Sequence, residues 1–150
     1  MKKDISQITT YDSGIMQSTA HRILTRIKSE YLSQYDITTT QWFAIGLAYE
    51  AGEQGIRLGD LMRKLDTTMP FITNLVNILE SKSILHKVNS SEDSRIKIAI
   101  LNPAFASQVE QIENGLREEL RIRLYNEDHI SRDELSTYIS VLYKIAQVDK

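Results

Sequence analysis

The chain has no cysteine among its 150 residues. That absence excludes a disulfide framework, a thiolate metal site, a cysteine nucleophile and any thiol redox switch. Proline occurs twice and glycine six times, so breaks in regular structure are few and their positions carry information. Long hydrophobic runs are missing too. The longest, interrupted only by Gly46, is Trp42 to Tyr49, against the ~20 residues that a membrane helix needs. Lys2 and Lys3 lead into Asp4 and polar residues rather than an apolar leader core. There is no internal repeat, low-complexity tract or glycine-rich phosphate loop. His21, His86 and His129 are far apart and match no zinc spacing. The expectation is a soluble, cytoplasmic protein that is not an enzyme, needs no cofactor or metal, and has no membrane partner.

What is present is ordinary in amount and informative in arrangement. Hydrophobic residues make up 41% and charged residues 25%, the mixture of a globular domain. A chain this long buries roughly 68–70% of its unfolded surface, enough for one domain without staples. The net charge of −2 conceals a gradient. Residues 1–56 carry 5 basic and 6 acidic groups, residues 57–101 carry 7 and 5, and residues 102–150 carry 6 and 9. Any basic face therefore belongs to the middle third.

Helical spacing runs through Ile15, Met16, Ala20, Ile23, Leu24, Ile27 and Tyr31, one apolar stripe on a long helix. The polar dozen residues before it read as a short helix or an arm. Thr38-x-x-Gln41 is a capping box, with Ile37 and Trp42 placed as a hydrophobic staple. Ser131-x-x-Glu134, flanked by Ile130 and Leu135, repeats the arrangement. The helix begun at Thr38 should end near Ala51, where Gly52 supplies a left-handed turn. A short helix is predicted over 58–65, a turn through Asp66, Thr67 and Thr68, and another helix from Thr68 or Met69 with Pro70 in its first turn.

After Lys82 the apolar period shortens from 3.6 to 2. Ile84, His86 and Val88 alternate with Leu85, Lys87 and Asn89, and Arg95 to Ile100 alternate again. Two such runs joined by a polar loop predict a hairpin with one basic and one aliphatic face. Asn102 is placed to cap the next helix, with Pro103 at its first position, and Phe105, Val109, Ile112, Leu116, Leu120 and Leu124 form that helix's stripe. The last helix carries Leu135, Ile139, Leu142 and Ile145. The fold class is mainly α with a small β-hairpin wing: a winged helix-turn-helix core flanked by N- and C-terminal dimerisation helices. We expect a single domain over 1–150, with the winged helix at about 37–101 and dimerisation helices at about 1–35 and 103–148.

Set at 100° per residue, Ile72, Leu75, Val76 and Leu79 face the core, while Pro70, Thr73, Asn74, Asn77 and Ser81 lie opposite. No charge occurs from Thr67 to Leu79, unlike a merely solvated helix face. Such a helix can enter the major groove. Arg95 and Lys97, with Lys87 on the neighbouring strand, supply cations on a projecting ribbon for phosphate or minor-groove contact. Asp93 can hold the Arg95 guanidinium by a charge-assisted bond. Candidate DNA-binding residues are Thr38, Thr68, Pro70, Thr73, Asn74, Asn77, Lys87, Ser90, Ser91, Arg95 and Lys97. Asparagine pairs with adenine edges, so A·T-rich half-sites are expected.

QWFAIGLAYEAG, IRLGDLMRKLD, TTMPFITNLVNILESKSIL and a wing ending DSRIKIAILNPAF resemble the MarR family of bacterial transcription regulators. The most specific element is Asp93-Ser94-Arg95 followed by alternating aliphatics. The resemblance implies a homodimeric winged-helix protein on a pseudo-palindromic operator, often released by a small anionic or phenolic ligand. The chain departs from the family where Asn74 replaces a common arginine or lysine, and where Asn102 and Phe105 replace threonine and glycine. Peroxide sensing through a cysteine is excluded.

Half-sites about 34–36 Å apart are beyond one small chain, which requires a twofold dimer. Candidates for its interface are Ile5, Ile8, Tyr11, Leu124, Leu135, Tyr138, Ile139 and Leu142. His21, Arg22, Tyr31, Trp42 and Tyr49 are candidates for a ligand pocket, where a cation among aromatics suits an aromatic or anionic effector. The alternative reading is a winged-helix protein–protein interaction module that does not bind DNA.

Overall fold

The computed structural model describes residues 4–150. They fall into two compact units, one ending at Ile112 and one comprising Glu113–Lys150. The first begins with a single 3-10 turn, Ile5–Gln7, and α1 (Thr10–Leu32). Thr9 caps α1 by accepting from the Asp12 amide at 3.2 Å, so this helix starts about five residues before its apolar stripe. Asp36, at φ 55°, turns the chain into α2 (Thr39–Ala51). The capping box is complete: the Gln41 amide donates to Thr38 Oγ1 and the Thr38 amide to Gln41 Oε1, both at 3.1 Å. Ile37 and Trp42 are both buried, as a staple requires. Gly52 ends α2 at φ 66°.

A two-residue strand, β1 (Ile56–Arg57), precedes α3 (Leu58–Lys64), and α4 (Met69–Ser81) follows. Asp66, at φ 50°, makes the turn between the two helices, and Thr68 caps α4 by accepting from the Phe71 amide at 3.4 Å. Then come β2 (Leu85–Asn89) and β3 (Lys97–Leu101). The sheet has three antiparallel strands in the order β1-β3-β2 rather than a lone hairpin. β1 is too short for any alternation to be read from sequence. Ile72, Leu75, Val76 and Leu79 of α4 are all buried and form the centre of the core with Ile45, Leu61 and Leu85. Each buried aliphatic side chain contributes roughly 1.5–3 kcal/mol.

Two local expectations are corrected and one is refined. Strand β3 begins at Lys97, not Arg95, because the Ile96 amide donates to the Asp93 carbonyl at 3.0 Å and closes a turn there. The lysines of the hairpin do share one face and the aliphatics Val88, Ile98 and Ile100 the other, but the lysine face is not purely basic. Register pairs Leu85 with Leu101, Lys87 with Ala99 and Asn89 with Lys97, so the lysines extend the same face that buries Leu85, Ala99 and Leu101. The opposite face carries His86, Val88, Ile98 and Ile100. Asn102 does not cap with its side chain. A 3-10 turn, Pro103–Phe105, intervenes before α5 (Ala106–Arg123). The Asn102 amide group instead donates to the Ser83 carbonyl at 2.6 Å, and its oxygen lies 2.6 Å from His86 Nδ1.

The second unit contains the later part of α5, a turn, and α6 (Arg132–Ala146). Ser131 and Glu134 form a second complete capping box, with both bonds at 3.2 Å. α6 buries no residue, although its sequence carries Leu135, Ile139, Leu142 and Ile145 at helical spacing. Among the described residues, no helix is long and apolar enough to cross a membrane.

Candidate nucleic-acid interface

The outward face of α4 is joined to the hairpin through Lys87 of β2. Pro70, Asn74, Asn77 and Ser81 are exposed on α4, whereas Thr73 is half-buried. The Asn74 side chain makes no hydrogen bond among the described residues. Asn77 accepts from Lys87 Nζ, a contact reaching from β2 to α4. Glu80 reinforces that junction by accepting from the Lys87 amide at 2.8 Å. On the next strand Lys97 Nζ donates to Asn89 Oδ1.

At the hairpin tip, Arg95 Nε donates to Asp93 Oδ1 at 3.1 Å and Nη2 to Oδ2 at 3.0 Å, while the Arg95 amide also donates to Oδ1 at 3.0 Å. This fork holds the Asp93 carboxyl below its ordinary pKa and raises that of the guanidinium. The pair fixes the direction of Arg95 while leaving it exposed to a partner. Ser90 is half-buried and Ser91 exposed beside it; Ser90 Oγ accepts from the Glu92 amide at 3.2 Å. Glu92 lies 3.9 Å from Arg57 of β1, with both side chains largely exposed. Thr38 and Thr68 are exposed, each with its hydroxyl engaged as a helix cap.

The helical wheel missed Phe71 and Ile78, which are 45% and 37% exposed. Both are apolar and lie nearly at right angles to the core direction, so composition suggested burial. The available signal was the spacing Phe71–Asn74–Ile78, three and then four residues apart, which marks one flank of a helix.

The proposed ligand residues are distributed over α1 and α2. His21 and Arg22 are exposed on α1, roughly 15 Å along the helix axis from Tyr31. Tyr31 packs on Tyr35 with ring centroids 5.9 Å apart. Trp42 is buried, and Tyr49 donates its hydroxyl to Glu110 at 2.8 Å, which raises its pKa. A cavity of about 610 Å³ lies between the hairpin loop and the segment that carries β1 and α3, and is lined by Gly55, Arg57, Asp60, Lys64 and Ser90 among others. Another of about 570 Å³ in the second unit is lined by Arg117, Arg121, Tyr125 and Leu135 among others.

Of the interface candidates, Ile5, Tyr11, Tyr138, Ile139 and Leu142 are exposed, and Ile8, Leu124 and Leu135 are half-buried. Among the described residues no group of three or more His, Asp or Glu side chains could hold a metal ion.

No family model and no curated protein sequence matches the chain. Solved structures do. MepR from S. aureus, solved as a complex with DNA, is 25% identical, with 93% of this chain and 98% of that chain covered and a TM-score of 0.68. A MarR-family transcriptional regulator from Rhodococcus sp. RHA1 is 15% identical over 94% of this chain and 96% of that one, with a TM-score of 0.83. CouR from Rhodococcus jostii RHA1, bound to p-coumaroyl-CoA, is 15% identical over 95% and 96%, with a TM-score of 0.80. Helix order, three-stranded sheet and coverage of nearly the whole chain agree: the fold is that of the MarR family of winged-helix regulators.

Proposed function

We propose that the chain is a DNA-binding transcriptional regulator whose α4 enters the major groove while the β2–β3 hairpin, the wing, follows the backbone. The observation that carries this reading is the Lys87–Asn77 contact, which joins an uncharged, amide-bearing helix face to a ribbon bearing Lys87, Arg95 and Lys97. Cations beside a neutral reading face suit a ligand with a charged rail on either side of a polar floor, which is the duplex. The MepR neighbour was solved with DNA.

The regulator acts as a homodimer on a pseudo-palindromic operator with A·T-rich half-site centres, because two recognition helices must meet half-sites about 34–36 Å apart. The dimer draws on the exposed apolar residues of the terminal helices, Tyr11 and Ile139 among them. It represses, in the cytoplasm, and a small aromatic or anionic effector relieves repression. A bound acyl-CoA in the CouR neighbour supports an effector of that chemistry.

Fluorescence anisotropy with a duplex from the DNA upstream of the chain's own gene tests the reading. Binding should weaken steeply between about 50 and 200 mM salt as phosphate counterions are released. No binding at the low-salt end overturns it in favour of a protein-binding winged helix.

A further inference from the structure

The outward surface of α4 has two unlike flanks. Toward the wing lie Asn77 and Glu80, both engaged by Lys87. Away from it runs Phe71, Asn74 and Ile78, exposed, uncharged and without a side-chain hydrogen bond among the described residues. We propose, given the DNA-binding reading above, that this second flank determines sequence specificity. Phe71 seats on a thymine 5-methyl group and Asn74 pairs with a neighbouring adenine, while Asn77 serves to position the wing.

The chemistry of the flank selects its occupant. The thymine methyl is the apolar feature that the major groove offers, and phenylalanine is among the side chains that meet it. Adenine N6 and N7 match the free amide of Asn74. Along the helix Phe71 precedes Asn74 by about 4.5 Å, close enough for the two side chains to meet neighbouring base pairs from one flank. Charge points the same way: the helix is neutral from Thr67 to Leu79, while Lys87 reaches it from β2 and Lys97 and Arg95 lie further along the same hairpin. Asn77 contributes differently. Its carboxamide oxygen is occupied by Lys87, so reading a base with it would cost the contact that ties wing to helix.

The test uses the full chain and a duplex selected from a random library. Thymines in that duplex are replaced by deoxyuridine one at a time, which deletes only the methyl. At one position in each half-site the wild type should lose about threefold to fourfold in affinity, the worth of one buried methyl. Phe71→Ala should bind the thymine duplex more weakly by a similar factor and be indifferent to uracil there. Phe71→Leu, which keeps an apolar contact, should retain part of the discrimination. Asn74→Ala should relax the preference at an adjacent A·T pair, whereas Asn77→Ala should weaken all sequences alike. Enrichment of a duplex on which Phe71→Ala shows the wild-type uracil penalty at every position overturns this inference and leaves DNA binding standing. Failure to enrich any duplex overturns both.

Discussion

His86 Nδ1 lies 2.6 Å from Oδ1 of Asn102, and the same asparagine donates from Nδ2 to the Ser83 carbonyl at 2.6 Å. One side chain thus ties the residue that leaves α4 to both strands of the wing, where they converge on the core. Ser83 holds φ 60°, a conformation that costs a non-glycine residue roughly 1–2 kcal/mol, and the bond from Asn102 helps to hold it. Asn102→Ala removes both contacts and leaves a half-buried imidazole without its partner. The expected loss is about 1–3 kcal/mol, read as a lower urea midpoint with an unchanged slope.

Gly55 tests how closely the helical core approaches the sheet. A Cβ there would meet the Ala99 carbonyl oxygen and Ile100 Cγ1 at 2.6 Å and Ile98 Cγ2 at 2.7 Å, at a backbone φ of 70°. Backbone strain and overpacking each cost about 1–3 kcal/mol, and here they act together. Gly55→Ala should therefore cost at least about 2 kcal/mol in denaturant unfolding. Gly46, within α2 and with nothing within 4 Å of its added Cβ, is the matched control. Gly46→Ala should stabilise by about 0.5–1 kcal/mol.

The parts of the fold that were legible in the sequence share a local cause. Both capping boxes, the turn at Asp66 and the buried stripe of α4 are written in residues within four positions of one another. β1 was not, because Ile56 and Arg57 become a strand only by pairing with Ala99 and Ile98, over forty residues away. Which face of the wing packs on the core was hidden for the same reason: alternation gives two faces, and only tertiary pairing shows that the one with Leu85, Ala99 and Leu101 is buried. Phe71 escaped notice because hydrophobicity argues for burial, and three-dimensional position decides otherwise. Asn102 fitted the pattern of a cap, yet its side chain found stronger use between Ser83 and His86.

The Asp93–Arg95 fork gives the wing a dependence on acid. Its carboxyl titrates below the ordinary 3.8 because Arg95 bonds to the ionised form. A folded pKa below the unfolded one means the pair stabilises fully above about pH 4 and is lost as pH falls through the lower, folded value. Asp93→Asn removes that titration. The stability gap between wild type and Asp93→Asn should be flat from pH 5 to 8 and close below about pH 4, in urea midpoints measured across that range. Arg95→Ala at neutral pH should weaken binding to all duplexes alike and lower the slope of log Kd against log salt by about one. A sequence-dependent loss would place Arg95 on a base.

The C-terminal helix makes the proposed dimer testable with one charge. Tyr138, Ile139, Leu142, Tyr143 and Ile145 are 39%, 53%, 42%, 65% and 58% exposed, and α6 buries none of its residues. Contiguous apolar surface of this kind is uncommon on soluble monomers beyond a few hundred Å², and covering it with a second copy removes that exposure. Ile139→Glu places a carboxylate within the patch, where burial without a partner costs several kcal/mol. The wild type should therefore sediment at about twice 17.2 kDa and Ile139→Glu at the single-chain mass. Because Ile139 is exposed in one chain, the variant should keep its helical circular dichroism. At nanomolar concentrations it should bind a duplex carrying two half-sites hardly better than one carrying a single half-site, since two reading helices are no longer joined. A wild type that sediments as one chain would remove the dimer from the proposal.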